Sequence, residues 1–447
     1  MRIAMIGAGY VGLVSGACFA DFGHDVVCID SDADKIAALT RGELPIYEPG
    51  LQSIVSANAA AGRLRFSGDL ARGVEGAEIV FIAVGTPSRR GDGHADLSFV
   101  HAAAHEVAHA IDGFAVIVTK STVPVGTGDE VERIMREANP AADFAVVSNP
   151  EFLREGSAIE DFRRPDRIIV GTGDQRARTL MAQVYRPLYL NEAPIMFTSR
   201  RSAELTKYGA NAFLAMKIAF INEMADLCEA AGANVQDVAR GLGLDRRIGP
   251  KFLNAGPGFG GSCFPKDTQA LVKTGQDFGV PLRLVETTVA INEARKRRMG
   301  RKVIAAMGGD VRGKTVAVLG LTFKPNTDDL REAPALSIIQ SLQDAGAKVR
   351  AFDPKGMPGA QPLLPDVVFC EDAYDAATGA DGLAIVTEWN VFRSLDLKRL
   401  KGLMAAPVLI DLRNIYRRRE VEAEGFAYEG VGTLAPGDAD LFAEAAE

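Results

Sequence analysis

The first twelve residues constrain the fold more than any other stretch of the chain. An apolar run at 2–6 is followed by Gly7, Gly9 and Gly12 in the spacing GxGxxG, and then by a helical pattern that continues to about Gly23. Glycines so placed permit a tight turn, a close approach of the backbone to a ligand, and close packing of a helix on a strand. The stretch therefore predicts the first strand, turn and helix of a dinucleotide-binding α/β domain.

The acid at the end of the second strand candidate indicates which dinucleotide is bound. Asp30 closes the run DVVCI and lies 18 residues after Gly12. A carboxylate there suits the ribose hydroxyls of NAD and repels the extra phosphate of NADP, while the start of the first helix attracts the pyrophosphate. We therefore expect NAD as the cofactor, held by Asp30 and by the turn residues Gly7, Gly9, Tyr10, Val11 and Gly12.

Strand and helix patterns divide the rest of the chain. Short β-branched runs such as 115–119 and 144–148 alternate with helical patterns, which predicts a parallel sheet covered on both faces. From residue 199 a proline-free, mostly apolar stretch predicts one long helix, buried in part against a second copy of the chain. The alternation then restarts near residue 313. We expect an α/β protein with two Rossmann-like parallel-sheet domains (1–198 and 311–432) joined by a central long-helix dimerisation domain (199–310), and a disordered acidic tail (433–447).

Charge and cysteine content limit the partners and the compartment. The formal net charge of −8 argues against non-specific binding to nucleic acid or to an anionic membrane. No apolar stretch reaches the roughly 18 residues needed to cross a bilayer. The five cysteines are scattered and form no CxxC pair, so a disulfide framework or a zinc finger is not expected. We expect a cytoplasmic protein that binds neither nucleic acid nor membrane.

One cysteine stands out from the other four. Cys263 lies in GFGGSCFPKD, between three glycines and Pro265, whereas the others lie in apolar runs typical of buried positions. Beside NAD, a thiolate can add to an aldehyde to give a thiohemiacetal, which loses hydride and becomes a thioester that water releases as an acid. Cys263 thus predicts a dehydrogenase whose product leaves as a carboxylate.

Polar residues elsewhere are candidates for the same site. Lys207 and Asn211 are four residues apart on the predicted long helix and therefore share one face. Two loops that follow strand candidates, KSTVPVGT (120–127) and SNPEFLREG (148–156), offer Ser121, Thr122, Glu151 and Glu155.

The second α/β domain lacks the complete glycine turn. It keeps only the first glycine, Gly320, so a ligand other than a second dinucleotide is expected there. Lys324 and Arg331 flank KPNTDDLR where a strand meets a helix, which suggests phosphate or another anion.

The motifs GAGYVG, STVPVG, NPEFLREG, GFGGSCFPKD and FKPNTDDLR occur in this order. Together they resemble the UDP-glucose 6-dehydrogenases of the UDP-glucose/GDP-mannose dehydrogenase family, over residues 1 to 430. The resemblance implies two successive NAD-dependent oxidations that convert UDP-glucose to UDP-glucuronate. It further implies NAD in the N-terminal domain, UDP in the C-terminal domain, and a homodimer with the central helix at its interface.

The resemblance also implies roles for single residues. Cys263 is the nucleophile, Lys207 takes part in proton transfer and stabilises the developing oxyanion, and Asn211 is its partner. Asp267 positions a water with Thr122, and Glu151 is the base for thioester hydrolysis. The residues implied for NAD are Asp30, Lys35, Thr86, Ser121, Glu155, Lys266 and Arg331. Those implied for the nucleotide sugar are Glu151, Phe152, Leu153, Arg154, Lys207, Asn211, Phe252, Leu253, Asn254, Ala255, Gly256, Gly260 and Lys324, with Arg247 from a neighbouring subunit. For Arg331, the resemblance implies contact with NAD in place of the phosphate-binding role suggested by its position beside Lys324.

Three other functions are compatible with parts of this pattern. A GDP-mannose or other nucleotide-sugar 6-dehydrogenase would share the cysteine motif. A two-electron β-hydroxyacid-type dehydrogenase would need neither Cys263 nor a third domain, and a non-enzymatic sensor would not need the intact polar set.

His101, His105 and His109 have a spacing that a metal site could use, but the predicted chemistry needs no metal and a solvated helix face accounts for them. We therefore expect no metal.

Overall fold

The computed structural model describes residues 1–89, 93–191 and 193–433. It divides into an N-terminal unit, formed by Met1–Ala210 with Gln269–Pro281, and a C-terminal unit, formed by Asn211–Thr268 with the chain from Leu282 onward. The predicted domain boundaries at 198 and 310 stay predictions. All but the first residue of the predicted tail at 433–447 lies outside the described residues.

An eight-stranded sheet forms the centre of the N-terminal unit. Its strands are β1 (Arg2–Ile6), β2 (Asp25–Ile29), β3 (Leu64–Ser67), β4 (Ile79–Ile82), β5 (Ala115–Thr119), β6 (Phe144–Ser148), β7 (Ile168–Gly171) and β8 (Ile195–Thr198). The helices between them are α1 (Tyr10–Asp21), α2 (Ala33–Thr40), α3 (Leu51–Ala60), α4 (Leu70–Val74), α5 (Ser98–Ala110), α6 (Thr127–Ala138), α7 (Ala158–Arg163) and α8 (Gln175–Val184), followed by a 3₁₀ turn at Arg186–Asn191.

The strand order is that of a Rossmann-like sheet with two added strands. It runs β3-β2-β1-β4-β5-β6-β7-β8, and every neighbouring pair is parallel except β6 and β7. β5 and β6 are buried along their whole length, so both faces of the sheet must be covered by helices. The predicted parallel-sheet fold is confirmed, with the antiparallel β6/β7 pair as an added feature.

Aromatic and β-branched side chains fill the two faces of this sheet. On one face, Phe19 of α1 stacks on Phe81 with ring centroids 5.1 Å apart and meets Phe162 edge-on at 5.0 Å. On the other face, Val100 of α5 and Val131 of α6 belong to a second buried cluster. This packing fixes the carboxyl ends of the strands, where the functional loops begin.

Four helices connect the two sheets: α9 (Arg200–Ala231), α10 (Val235–Leu244), α11 (Phe264–Asp277) and α12 (Arg283–Ala306). The predicted long helix is thus confirmed as α9, which has 32 residues. It is not buried all round, because four apolar side chains on it are between 48% and 58% exposed. We call these the α9 stripe: Leu205, Phe213, Phe220 and Leu227. Of the helices described, none is both long enough and apolar enough to cross a membrane.

The C-terminal unit repeats the strand order of the first six strands of the larger sheet. Its strands run β11-β10-β9-β12-β13-β14, all parallel. They are β9 (Thr315–Leu319), β10 (Lys348–Phe352), β11 (Val367–Phe369), β12 (Gly382–Ile385), β13 (Val408–Asp411) and β14 (Ala427–Glu429). The helices are α13 (Pro334–Asp344), α14 (Met357–Ala360), α15 (Ala373–Ala377), α16 (Leu397–Leu403) and α17 (Arg418–Ala423), with a 3₁₀ turn at Asn390–Phe392.

Candidate active site

The turn between β1 and α1 has the shape that a pyrophosphate requires. Gly7 has φ +100°, and a Cβ on Gly12 would lie 1.8 Å from the carbonyl oxygen of Gly7, so packing of the turn demands both glycines. A Cβ on Gly9, by contrast, would meet nothing within 4 Å. Gly9 also caps α1 without any side-chain hydrogen bond, which leaves the first helical N–H groups without a side-chain acceptor. Open space at the start of a helix fits the phosphates of NAD.

Asp30 presents a charged carboxylate at the end of β2. Its Oδ2 accepts hydrogen bonds from Ala8 N at 2.8 Å and from Lys35 Nζ at 2.9 Å. Partial burial opposes the charge, but the hydrogen bonds from Lys35, Asp32 N and Ala8 N outweigh it and lower the pKa of Asp30. An ionised acid at this place matches the ribose of NAD.

Tyr10 is tied to a residue that sequence reasoning missed. Its hydroxyl donates to Glu48, whose carboxylate also accepts from Gly156 N at 2.6 Å and from Ala158 N at 2.8 Å. Through these hydrogen bonds the buried Glu48 carboxylate holds the loop after β6 against the start of α1. Nothing in the surrounding stretch ELPIYEPG, which holds a second acid at Glu43, marks Glu48 as a site residue.

Hydrogen bonds hold the loops after β4 and β5 together. Thr86 Oγ1 donates to Thr122 O at 2.9 Å, and Ser121 Oγ donates to Val84 O at 2.7 Å. Thr122 also lines a cavity of about 10 Å³ with Lys207, close to the volume that holds one water. Four predicted residues, Thr86, Ser121, Thr122 and Lys207, thus lie in one small region of the N-terminal unit.

Lys207 and Glu151 form a buried ion pair. Lys207 Nζ lies 3.0 Å from Glu151 Oε1, and the two side chains are only 3% and 6% exposed. Glu151 Oε2 also accepts from Leu153 N at 2.5 Å, and Lys207 Nζ lies 5.3 Å from the ring centre of Phe152. Removing two charges from water costs several kcal/mol per ion, so stability alone is a poor reason to keep such a pair. A buried lysine beside a carboxylate can instead move protons.

Glu204, one turn before Lys207 on α9, anchors the helix to the loop after β5. Its carboxylate accepts from Gly126 N at 2.7 Å, from Gly128 N at 2.8 Å and from Ser148 Oγ at 3.0 Å. Burial raises the pKa of Glu204, and these donors partly offset that effect. The sequence carried one signal, an acid on the same face as Lys207, which the prediction did not use.

In the C-terminal unit, Asp267 is the centre of a second polar cluster. Asn211 Nδ2 donates to Asp267 Oδ2 at 2.6 Å, and Lys266 Nζ donates to Asp267 Oδ1 at 2.7 Å. Asp267 is 1% exposed and lies one turn along α11 from Cys263, whose carbonyl oxygen accepts its N–H at 2.8 Å. The helix thus places the thiol and the carboxylate on neighbouring turns.

Cys263 is the one cysteine that the fold leaves partly accessible. Cys18, Cys28, Cys228 and Cys370 are buried, as predicted, and Cys263 is half-buried. It directly precedes the first residue of α11, where the helix dipole favours a thiolate. Exposure and position both suit a nucleophile.

Close packing explains the glycines before Cys263. A Cβ on Gly260 would lie 2.3 Å from the carbonyl oxygen of Glu332. Asn292 of α12 holds the adjoining Phe259 by its backbone, since its Oδ1 accepts from Phe259 N at 2.8 Å and its Nδ2 donates to Phe259 O at 3.0 Å. The loop is therefore fixed on both sides.

The loop at 252–256 lies against two arginines that the sequence analysis missed, Arg295 and Arg413. Gly256 N donates to Asn222 Oδ1 at 2.8 Å, and Arg295 Nε donates to Gly256 O at 3.0 Å. Arg413, which follows β13, donates to Phe323 O at 3.2 Å, and its Nη1 would lie 3.1 Å from a Cβ on Gly256. The only sequence signal for Arg413 is its position directly after the strand candidate VLIDL (408–412). Within the same loop, Leu253, Ala255 and Gly256 are buried, Phe252 is half-buried and Asn254 is exposed.

Three predicted cations in or near these loops differ in exposure. The Lys324 ammonium lies 5.3 Å from the ring centre of the half-buried Phe323. The side chains of Arg247 and Arg331 are 89% and 64% exposed. In the N-terminal unit, the predicted Arg154 is exposed and pairs with Asp161. Of the predicted residues, Glu151, Phe152 and Thr122 thus lie beside Lys207 in the N-terminal unit, and Asn211 and Lys266 lie beside Asp267 in the C-terminal unit. The Arg247 side chain lies at the surface.

The second sheet does not offer a second dinucleotide site. Asp353 follows β10 as Asp30 follows β2, yet it is fully buried. Its Oδ2 accepts from Leu321 N at 2.7 Å, from Thr322 N at 3.1 Å and from Trp389 Nε1 at 3.1 Å. No ribose can reach a carboxylate whose hydrogen bonds are all internal, which agrees with the incomplete glycine turn.

Comparison with known proteins finds relatives that match 97% of the chain. Three models of the UDP-glucose/GDP-mannose dehydrogenase family match in order: the NAD binding domain at 1–189, the central domain at 201–294 and the UDP binding domain at 317–418. A UDP-glucose 6-dehydrogenase of Rhizobium meliloti (strain 1021) is 67% identical over 97% of this chain and 99% of the relative. One of Pseudomonas aeruginosa is 46% identical over 97% of each. The solved UDP-glucose dehydrogenase of Pyrobaculum islandicum superposes with a TM-score of 0.89 at 39% identity, covering 97% of this chain and 98% of that one.

Proposed function

The chain belongs to the UDP-glucose/GDP-mannose dehydrogenase family, and from this premise we propose that it oxidises UDP-glucose to UDP-glucuronate in two NAD-dependent steps. The observation that carries the proposal is the half-buried Cys263 at the start of α11, one turn from the buried Asp267. Among NAD-dependent oxidations of an alcohol, a sulfur nucleophile is needed when the oxidation continues past the aldehyde, and hydride transfer from the alcohol itself does not need one. NAD, when bound, accepts the hydride in each oxidation.

In the first step the sugar C6 hydroxyl becomes an aldehyde. Its proton passes to Lys207, which the Glu151 carboxylate holds at 3.0 Å, and the two electrons leave with the hydride. Lys207 then carries the charge that stabilises an oxyanion at the same oxygen. Asn211, one helical turn further along α9, assists it.

In the second step the Cys263 thiolate forms a bond to the aldehyde carbon. The oxyanion of this adduct takes the proton from Lys207 to give the thiohemiacetal, which then loses a second hydride and returns that proton to Lys207, so that a thioester is left on the sulfur. Water then attacks the thioester carbon, the C–S bond breaks, and the thiolate returns as the carboxylate forms. We assign Asp267 and Thr122 to hold this water and Glu151 to accept its proton.

We assign the NAD contacts to the turn Gly7–Gly12 and to Asp30, Lys35, Thr86, Ser121, Glu155, Lys266 and Arg331. The nucleotide sugar is assigned to residues 151–154, 252–256, Gly260 and Lys324, with Lys207, Asn211 and a neighbouring subunit's Arg247. We add Arg413 to the nucleotide-sugar set because it contacts Phe323, next to Lys324, and Gly256 in the loop 252–256. Its guanidinium suits a diphosphate.

The decisive test is stoichiometric. The purified protein is supplied with UDP-glucose or with GDP-mannose, and NADH is counted against the acid formed. We expect two NADH for each UDP-glucuronate and little turnover of GDP-mannose. One NADH per product, or a preference for GDP-mannose, would contradict the proposal and favour a two-electron dehydrogenase or a GDP-mannose 6-dehydrogenase respectively.

Asp30→Asn is expected to weaken selection for NAD. The change removes the charge that binds ribose and releases Lys35 from its ion pair, which makes a cation available to a 2′-phosphate. We expect kcat/KM for NAD to fall by about tenfold, and the NAD over NADP ratio to fall by more. Asp25→Asn, at the exposed start of β2, serves as the matched control and leaves both values unchanged. An unaltered coenzyme ratio in the Asp30 variant would remove that residue from the NAD site.

We propose that the α9 stripe forms the contact of a homodimer. Its four apolar side chains recur at spacings of seven and eight residues along one face, and each is at least 48% exposed in a single chain. Such a stripe on a soluble monomer would be costly. A dimer would also bring the exposed Arg247 to a neighbouring subunit.

We further propose a cytoplasmic location, which suits free thiols.

Phe213→Glu combined with Phe220→Glu is expected to give monomers with little activity. Association would bury both carboxylates without partners in an apolar surface, and that cost opposes dimer formation. Sedimentation velocity measures the mass, and Val391→Glu, at an exposed apolar position on a 3₁₀ turn, provides the control. A double variant that sediments like the wild-type protein would place the interface elsewhere.

A further inference from the structure

Lys120 is a buried ammonium that the proposed mechanism does not use. It is the first residue after β5 and is 3% exposed. Its Nζ donates to Asn149 Oδ1 at 3.2 Å and to Tyr185 OH at 3.3 Å, and it lies 5.8 Å from the ring centre of Phe81. These partners are all neutral.

No carboxylate lies within ion-pair distance of Lys120 in the part of the chain that the structure describes. Burial is the main reason that the pKa of Lys120 falls to about 8; attraction to Glu151 partly offsets it, and repulsion from Lys207 adds to it. A charge kept without a counter-ion is expensive and invites a functional explanation.

A hydrogen-bond network fixes Lys120 against the loop after β6, which also carries Glu151 of the Lys207–Glu151 pair. Tyr185 OH donates to Asn149 Oδ1 at 2.6 Å, and Asn149 Nδ2 donates to Ile169 O at 2.7 Å, so the amide is fixed in orientation. Asn149 precedes Glu151 by two residues in the loop after β6. The ammonium of Lys120 is thus held at a set place relative to that pair.

We propose that Lys120 is a positioning residue whose positive charge disfavours a second positive charge on Lys207, so that the Lys207 amine can accept the proton of the substrate hydroxyl. The inference rests on the role proposed above for Lys207. Two lysines close together are a known way to obtain a neutral amine at ordinary pH. The charged or titratable groups that face this pair in the N-terminal unit are Glu151 from the loop after β6, Glu204 from α9 and Tyr185 after α8.

The proposal fixes the sign of a pH effect. Below about pH 8 Lys120 is charged and opposes a second positive charge on Lys207, whereas above it Lys120 is neutral and its influence fades. In Lys120→Met the influence is absent at every pH. The ratio of wild-type to variant kcat is therefore expected to be about tenfold near pH 6.5 and to fall towards one above about pH 9.

The experiment measures kcat for UDP-glucose from about pH 6 to 10 in wild-type protein, Lys120→Met and Lys120→Arg. The arginine variant, which retains the charge, is expected to stay close to the wild-type profile at low pH. Lys296→Met is the matched control, because Lys296 is 1% exposed in the C-terminal unit and has carboxylate partners. It is expected to lose stability while its pH profile keeps its shape. A Lys120→Met variant slowed by the same factor at every pH would overturn the proposal.

A second variant covers the case in which Lys120→Met does not fold. Asn149→Asp places a carboxylate at the acceptor 3.2 Å from the ammonium and neutralises its field without removing the lysine. It should give the same loss at low pH, and an unaltered profile would overturn the proposal. If the wild-type protein forms no UDP-glucuronate, the proposed function fails. If it does and the profiles keep their shape, only the role of Lys120 fails.

Discussion

Cys263→Ser is expected to abolish the formation of UDP-glucuronate, with turnover reduced at least about a thousandfold. A serine hydroxyl is not ionised at neutral pH, and any ester that forms is a poorer acyl donor to water than a thioester. NADH formation should therefore stop at or before the second equivalent per site. Rapid-mixing absorbance at the NADH band, followed by mass spectrometry of the protein, measures both the burst and any covalent adduct.

The remaining cysteines provide the control for this result. Cys370→Ala removes a sulfur that is 3% exposed at the end of β11, and we expect unchanged turnover with a modest loss of stability. Steady release of two NADH per acid by the Cys263→Ser protein would remove sulfur from the mechanism.

Lys207→Met is expected to lower kcat by about a hundred- to ten-thousandfold, because it removes both a proton acceptor and the charge that stabilises the oxyanion. It also leaves Glu151 buried without its partner, which should cost about 3–5 kcal/mol of unfolding free energy. Steady-state kinetics and urea unfolding measure the two effects separately.

Adding Glu151→Gln to Lys207→Met separates catalysis from folding. The double variant buries no unpaired charge, so much of the lost stability should return while activity stays low. If activity returns with stability, Lys207 is a structural residue. If kcat in Lys207→Met is close to that of the wild-type protein, the assignment is wrong.

The sequence predicted most of what depends on local pattern. The family, NAD as cofactor and the two-sheet fold are confirmed, because glycine spacing and strand alternation are short-range signals. The accessibility of Cys263 relative to the buried cysteines was also predicted correctly from its neighbours. The roles of the individual site residues stay predictions.

Long-range partners were not predictable from such patterns. Glu48 and Glu204 are held by backbone N–H groups far along the chain, and nothing in their neighbouring residues announces this. The antiparallel β6/β7 pair was missed for the same reason, since strand direction depends on how the connection runs and not on the strand's own residues. Lys120 is the first residue of the motif KSTVPVGT, but its burial without a carboxylate in ion-pair distance depends on the fold and not on the motif.

The internal hydrogen bonds of Asp353 have a consequence for redesign. Two sheets of like order in one polypeptide invite the conversion of the second into another coenzyme site by grafting the missing glycines at 322 and 325. The graft would fail at the ribose, because the acid that should face it already closes its own loop. Protein engineers would have to rebuild the strand end as well as the turn.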